Sequence, residues 1–337
     1  MNLLVMWLVG GVAVAAVATL AARLIPASAP AQRHAFWWLT LGAIVAMPWL
    51  SSLVAIAPTG PVPFVAGDNA AGGGSLLVSV PALPWWLPTV AIGTWALAAC
   101  TSLLRLVVNL RAVRRLADAA LPLPAEHAGR LRRVVEARAG SRAATVCVSG
   151  EIRGACAVGF VHPRVLLSAD LVAVLDDRAI EAIVLHEYAH LQRYDDWTRL
   201  VQRVAVALVG LHPAVRWASR HIDIEREASC DRLVVARVGA PLAYARALAS
   251  AAEISARMTG LSAIAAPGAA ATGAGLHARV ARLVASAPLR PRLAWVASLT
   301  GAGGLALATA GAVAMPPLVE VEERVTAPLQ ALISMPL

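Results

Sequence analysis

The chain has 337 residues, of which 59% are hydrophobic and 15% are charged, and its formal net charge is +9. Soluble domains carry about 25% charged residues, so this composition excludes an ordinary soluble protein and indicates a membrane protein. The positive charge does not indicate nucleic-acid binding, because the arginines cluster beside apolar segments without a basic stripe of interleaved aromatic residues. Membrane lipid with anionic headgroups is the expected partner.

Four apolar segments have the length of membrane-spanning helices. About 20 helical residues cross a membrane, and the segments cover residues 2–24, 35–57, 85–108 and 293–314. The first segment is too long for the apolar part of a signal peptide and lacks a basic start, so we expect it to be retained. The sequence therefore predicts four transmembrane helices.

The distribution of arginine predicts which loops face the cytoplasm, because short cytoplasmic loops are enriched in Lys and Arg. The loop after the first span carries Arg23 and Arg33, whereas the loop 58–84 carries one charged residue, Asp68. The chain is basic again after the third span and before the fourth, and its tail is acidic. We therefore expect both termini outside and the segment 109–289 in the cytoplasm.

The first part of this cytoplasmic segment combines a helical pattern with short strands. Residues 111–139 have the pattern of a basic amphipathic helix, interrupted by a hinge at 121–124. Residues 145–148 and 163–167 are rich in β-branched and aliphatic residues and predict short strands.

A candidate edge strand lies between these two strands, at residues 155–160. In metallopeptidases an edge strand near the metal commonly pairs with the backbone of an extended substrate. Ala157, Val158 and Gly159 are therefore candidate substrate-binding residues. A purely structural strand is the alternative that the sequence leaves open.

The motif HEYAH, residues 186–190, lies in a segment with helical spacing of apolar residues. His186 and His190 are four residues apart, so a helix places both imidazoles on one face, as a zinc ion requires. Glu187 follows the first histidine and can take a proton from a water on the metal. A polar helix face with two solvated or core histidines is the alternative. The apolar positions that predict the helix are Ile180, Ile183, Val184 and Leu191.

A catalytic zinc needs a third protein ligand and one open position for water. The next predicted helix, residues 214–237, carries Glu227 and Asp231 four residues apart on one face. Glu227 is the candidate third ligand, and Asp231 can accept the proton of a ligating imidazole. His221, on the same helix, is a candidate oxyanion donor. A solvated, charged surface helix is the alternative reading.

The segment between these two helices is apolar but short. Asp195 and Asp196 are expected to end the motif helix, and Leu200–Leu211 is too short to cross a membrane. We expect this segment to lie in the membrane interface or to pack beneath the site. The cysteines form no C-x-x-C pair, so reduced thiols are expected at Cys100, Cys147, Cys156 and Cys230.

These motifs together resemble the BlaR/MecR-type membrane metallopeptidases, a gluzincin group. The resemblance is carried by HEYAH, by E-A-S-C-D at 227–231, by the G-F-x-x-P-x-V-L-L run at 159–167 and by three spans ahead of the motif helix. It implies an α-helical integral membrane protein with four transmembrane helices and an inserted α+β gluzincin zinc-metalloprotease domain. The implied division is three spans in 1–108, the protease domain in 109–289, and the fourth span with a short outer tail in 290–337.

The resemblance also implies the roles of the site residues. His186, His190 and Glu227 correspond to the zinc (Zn²⁺) ligands, Glu187 to the base, and Asp231 to the acid that closes the third-ligand motif. The implied function is an integral-membrane zinc endopeptidase of the bacterial inner membrane, which cleaves a cytoplasmic protein, plausibly a winged-helix transcriptional repressor in a signal-transduction pathway. A homodimer is a further expectation.

Two other functions fit the same motifs. A membrane quality-control or prenyl-protein-type protease also uses HExxH with a later glutamate, and it would cleave many substrates. A non-enzymatic, zinc-containing membrane signal transducer is the third hypothesis, although the glutamate base argues against it. The best-known members of the family carry a penicillin-binding sensor domain after the fourth span. Only residues 315–337 follow here, so we do not expect that sensor in this chain.

Overall fold

Helices make up most of the structure. The computed structural model describes residues 2–56, 84, 86–124, 129, 142–257, 273–285 and 291–314. Within these ranges the helices are α1 (Asn2–Ala21), α2 (Pro30–Ile56), α3 (Leu87–Ala119), α4 (Ala169–Val174), α5 (Asp177–Gln192), α6 (Asp195–Val209), α7 (Pro213–Val238), α8 (Pro241–Arg257), α9 (Gly273–Val284) and α10 (Pro291–Val313). The strands are β1 (Leu121–Pro122), β2 (Thr145–Ser149), β3 (Ala155–Val158) and β4 (Arg164–Ser168). The predicted outer loop around Asp68 and the predicted tail 315–337 lie outside the described residues.

Three helices in the described part of the chain are long and apolar enough to cross a membrane. They are α1, with the window Leu4–Ala21, α3, and α10, with the window Ala294–Val313. The second predicted span falls in α2, which begins at Pro30, carries Arg33 in its first turn and contains Pro48. The structure therefore shows three candidate membrane helices, and a fourth span in α2 stays a prediction.

Helix α3 continues well beyond the predicted end of its span at residue 108. It runs without interruption to Ala119, because no glycine or proline separates its apolar part from the basic residues that follow. Residues 111–119 are therefore helical, as their basic amphipathic pattern predicts, and they continue the helix of the third predicted span. The predicted hinge at 121–124 begins with the short strand β1.

The sheet has the strand order β1-β2-β4-β3. Strands β2 and β4 are parallel and confirm the predicted strands, and the two outer pairs are antiparallel. Strand β3 lies at an edge, as predicted, but it ends at Val158. The next residue, Gly159, has φ +100°, and a Cβ there would lie 2.6 Å from the carbonyl oxygen of His162. This position requires glycine and bends the chain away from the sheet.

Helices α6 and α7 form a hairpin that packs among α1, α2 and α3. Asp195 and Asp196 begin α6, so the expectation that they only end the motif helix is wrong, and the apolar segment 200–211 forms most of α6 and the turn. The α7 residues that join α1 and α2 in one buried cluster are Ala214, Val215, Ala218 and Ile222.

The tip of this hairpin lies against α1. The His212 side chain accepts a hydrogen bond from Ala214 N and so caps α7, and its Nε2 lies 3.1 Å from the carbonyl oxygen of Trp7. Gly11 makes room for this ring, since a Cβ there would lie 2.5 Å from His212 Nε2. On the other side, Trp95 of α3 donates from Nε1 to the carbonyl oxygen of Leu208. The hairpin is thus held on both sides at its tip.

Further along α7, away from the tip of the hairpin, the chain contacts the N-terminal part of α2. Arg33 forms an ion pair with Glu225 at 2.9 Å, and the rings of Trp37 and His221 stack at 4.2 Å. From Glu225 back to Pro213, α7 extends about 18 Å at roughly 1.5 Å per residue. The hairpin therefore reaches deep into the helical bundle, rather than lying flat at its surface.

Candidate metal centre

The position of the HEYAH helix, α5, is fixed at both ends. The Asp176 side chain accepts a hydrogen bond from Ala179 N, which caps the helix as its acidic start predicts. Between α5 and α6, Tyr194 adopts the left-handed conformation, with φ +56°. This residue reverses the chain directly after Arg193, and a non-glycine residue in this conformation is uncommon in proteins. The reversal places Asp195 beside His190.

One face of α5 packs on the sheet and the other faces α7. Val165 and Leu167 of β4 form one buried cluster with residues of α5. The apolar residues that predict the helix are all buried: Ile180, Ile183, Val184 and Leu191. This packing directs the two histidines toward α7.

His186, His190 and Glu227 form the candidate ligand group. His186 Nε2 lies 3.4 Å from Glu227 Oε2, and His190 Nε2 lies 3.6 Å from Glu227 Oε1. One ligand atom from each residue falls within 4.8 Å of the others. The donor set of two imidazole nitrogens and one carboxylate oxygen fits a divalent metal ion.

The second ring nitrogen of His186 is held by a buried polar pair. Its Nδ1 lies 2.9 Å from the hydroxyl of Tyr244 and 3.3 Å from Asp231 Oδ1. The Tyr244 hydroxyl in turn donates to Asp231 Oδ1 at 2.7 Å. Burial raises the pKa of Tyr244 well above its usual value, with Asp231 adding to the shift, so the hydroxyl keeps its proton. The structure thus places Asp231 behind His186, where the predicted second acid is expected.

The second ring nitrogen of His190 faces Asp195. Its Nδ1 lies 2.8 Å from Asp195 Oδ2 and 3.3 Å from Cys230 Sγ. These three residues are close enough to be considered as a second metal group, but 2.8 Å is a hydrogen-bond distance. Burial also raises the pKa of Cys230, which favours the neutral thiol in this hydrogen-bonded arrangement. We therefore interpret Asp195 as the group that orients His190.

Glu187 contacts the edge strand. Its Oε2 accepts a hydrogen bond from Ala157 N at 2.9 Å. The N–H of Ala157 therefore points away from the neighbouring strand β4 and toward α5. The structure brings together the predicted base and the predicted edge strand.

Two arginines flank the carboxylate of Glu227. Arg279 Nη1 lies 3.2 Å from Glu227 Oε2, and Arg199 Nη2 lies 3.8 Å from Glu227 Oε1. Burial alone would raise the pKa of Glu227, but His190, His186 and Arg279 outweigh burial and hold it well below its usual value. Glu227 is therefore ionised at neutral pH, as a ligand carboxylate must be.

The structure does not bring every predicted residue to this group. The ring of His221 stacks on Trp37 and contacts Trp217 edge-on at 5.0 Å, and no contact with the ligand group is found for it among the described residues. Sequence reasoning missed Tyr244 and Arg279 entirely. Each lies on a later helix without a motif, so only the folded arrangement identifies them.

The family comparison agrees with this geometry. The family model described as BlaR1 peptidase M56 matches residues 1–282. This match includes α1 to α8 and most of α9, and therefore all the residues of the ligand group. The comparison with curated proteins finds no match.

Proposed function

The chain belongs to the BlaR1 peptidase M56 family and is a membrane metallopeptidase, and we propose that it is an integral-membrane zinc endopeptidase that cleaves a cytoplasmic protein. The observation that carries this proposal is the meeting of His186, His190 and Glu227, with Glu187 next to His186 in the motif. His186, His190 and Glu227 are the proposed ligands, in the HExxH-plus-Glu arrangement of a gluzincin domain. Two imidazoles and one carboxylate suit zinc better than other common divalent ions.

In the proposed reaction Glu187 acts as general base and then as general acid. Zinc, when bound, polarises the scissile carbonyl and lowers the pKa of a water molecule. Glu187 takes the proton from the attacking water and delivers it to the leaving amine. Asp231 and Asp195 keep the two imidazoles in the tautomer that leaves each Nε2 free to bind the metal.

The edge strand β3 is the proposed docking site for the substrate backbone. The contact between Ala157 N and Glu187 supports this, because it shows that an outward N–H of β3 faces the proposed base. An extended peptide paired with β3 at Ala157 and Val158 would therefore pass next to Glu187, whereas Gly159, where the chain leaves the sheet, is a weaker candidate for this pairing. His221, which stacks on Trp37, is a weaker candidate for an oxyanion donor than the sequence suggests.

We propose four spans, a bacterial inner-membrane location and a cytoplasmic site. The contacts of α7 support this orientation: Arg232 donates to the carbonyl oxygen of Ser28, and Glu225 pairs with Arg33. The site therefore lies at the end of the bundle that carries the basic loop between α1 and α2. By the distribution of arginine this end is cytoplasmic. The domain division at residues 108 and 289 follows from the same proposal.

The proposed substrate is a transcriptional repressor, and the protein would act in signal transduction. Family membership supports a protein substrate, and the location of the site next to the basic loop supports a cytoplasmic one. The chain is proposed to act in contact with anionic lipid and as a homodimer. The number of proteins that the enzyme cleaves distinguishes the two functions. Selective cleavage of one repressor would favour the proposed function. Cleavage of many misfolded membrane proteins would favour a quality-control protease.

The test is cleavage of a purified candidate repressor by the full-length protein in lipid nanodiscs. We expect Glu187→Gln to lower the rate by a factor on the order of 10² to 10⁴ while the protein still binds zinc, measured by elemental analysis. His186→Ala should lose both zinc and activity. Glu253→Gln, a matched change on the exposed side of α8, should leave both unchanged. A Glu187→Gln protein that cleaves at the wild-type rate would disprove the assignment.

A further inference from the structure

Arg279 of α9 brings a positive charge into the ligand group. Its guanidinium donates to both carboxylate oxygens of Asp231, at 2.6 Å and 2.9 Å. The same group contacts Glu227 Oε2 at 3.2 Å and His186 Nε2 at 3.2 Å. One side chain thus touches two residues of the ligand group and the acid behind them.

The placement of Arg279 does not depend on charge alone. Helix α9 packs its apolar face against α5 and α8, in a cluster that contains Leu276, Val280 and Leu283 together with Leu185 and Leu248. These α9 residues are spaced as one face of a helix. Arg279 precedes Val280, so docking of this face carries the guanidinium to the ligand group.

The contact with His186 uses the atom that the metal needs. The Nδ1 of His186 faces Tyr244 and Asp231, so Nε2 is the nitrogen directed at the proposed metal position. A neutral imidazole has one lone pair for binding, and the N–H of Arg279 and a metal ion cannot both use it. A guanidinium is in practice always protonated. Its charge therefore opposes a divalent cation at this position at any physiological pH.

We propose that Arg279 is a built-in competitor for the metal ion, which keeps the affinity of the site lower than its three ligands alone would give. The ion pair with Asp231 holds the Arg279 guanidinium beside the site even when the guanidinium does not contact His186. The metal then binds reversibly enough to exchange, and removal of Arg279 should tighten binding. This inference rests on the metal site proposed above.

The alternative is that Arg279 only supports Asp231 and so strengthens the site. The two roles predict opposite signs. Loss of a carboxylate behind a metal-binding histidine weakens metal binding, by about 10 to 100-fold. If Arg279 is only a support, Arg279→Ala should weaken zinc binding in the same way as Asp231→Asn. If it competes, Arg279→Ala should tighten zinc binding.

The experiment is chelator competition for Zn²⁺ with the purified full-length protein in lipid nanodiscs, read as a dissociation constant without any substrate. We expect Arg279→Ala to bind zinc at least about tenfold more tightly than wild type, since one charge close to the ion is removed. Asp231→Asn should bind more weakly, and Arg279→Lys should stay close to wild type. Arg257→Ala, an equal change in charge on the exposed end of α8, should change nothing.

Arg279→Gln serves as a second variant, because glutamine can still donate to Asp231 without the charge. If Arg279→Ala does not fold, tighter zinc binding by Arg279→Gln supports the proposal. Equal or weaker binding by the folded variants overturns it while the proposed function stands. A wild-type protein that binds no zinc, or binds it equally well after His186→Ala, overturns the proposed metal site itself.

Discussion

The two histidines of the ligand group have different partners, although they belong to one motif. Tyr244 and Asp231 face His186, whereas Asp195 and Cys230 face His190. The motif HEYAH predicts the two imidazoles because spacing along a helix decides which residues share a face. Tyr244 could not be predicted, because its contact depends on how α8 folds back onto α5.

At the residue scale, we expect Asp195→Asn to weaken zinc binding by about 10 to 100-fold. Asparagine can still accept the hydrogen bond from His190 Nδ1, but it lacks the negative charge that makes the imidazole a stronger ligand. Chelator competition measures the effect, and Asp118→Asn, whose carboxylate is largely exposed, serves as the control. Unchanged zinc affinity in Asp195→Asn would exclude this orienting role.

The thiol of Cys156 provides a test of pH dependence. Burial raises its pKa to about 12, Glu187 adds to the shift, and Arg199 opposes it. Since the raised pKa keeps the thiol protonated, the thiolate fraction at pH 8 is on the order of 10⁻⁴, and alkylation should be very slow. The rate should rise with pH toward 12 or on unfolding. Mass spectrometry of the peptide with Cys156 checks this, and rapid labelling of folded protein at pH 8 would contradict it.

At the scale of elements, the hairpin of α6 and α7 is the least predictable feature. The sequence predicts both helices, because their apolar residues recur at helical spacing. It does not reveal the partner of the apolar segment 200–211, which has the same composition whether it faces lipid or protein. Only the folded structure shows that the tip of the hairpin packs against α1, where His212 fits against Gly11.

We expect Gly11→Ala to destabilise the protein by about 1–3 kcal/mol, the usual cost of overpacking a core. The added methyl group would overlap the His212 ring, which is buried and bonded at both nitrogens and so cannot move aside. Thermal unfolding in nanodiscs measures the change.

Gly42→Ala is the matched control, because beyond the neighbouring residues and the backbone of its own helix no atom lies within 4 Å of the added Cβ. The double variant Gly11→Ala with His212→Ser should recover part of the loss, since serine is smaller and also caps helices. Equal stability of Gly11→Ala and Gly42→Ala would show that the hairpin tip does not sit tightly against α1.

At the scale of the whole molecule, the N-terminal helices α1 and α2 and the helix that carries Glu227 share one core. Ala218 and Ile222 of α7 lie in the same buried cluster as Trp37 and Ile44 of α2. The predicted domain boundary at residue 108 follows the change in composition, which the sequence shows directly. The sequence does not reveal that α7 packs against α2, because alanine and isoleucine at helical spacing fit many apolar surfaces.

Residues 109–337 expressed alone should therefore fail to fold. Without α1 and α2, the apolar side of α7 has no partner, and the carboxylate of Glu225 loses Arg33. Co-expression with residues 1–108 should restore a monodisperse protein, assayed by gel filtration in detergent. A folded fragment 109–337 that binds zinc by itself would contradict the shared core.

Helix α7 carries Glu227 near one end of the bundle and its apolar half deep within it. A thicker or thinner bilayer tilts and shifts spanning helices to match their apolar length. Because α7 packs against α2, we expect such an adjustment to change the position of Glu227, the proposed third ligand, relative to His186 and His190 on α5. We therefore expect peptidase activity to differ between bilayers of short and long acyl chains, which can be measured in vesicles of each composition.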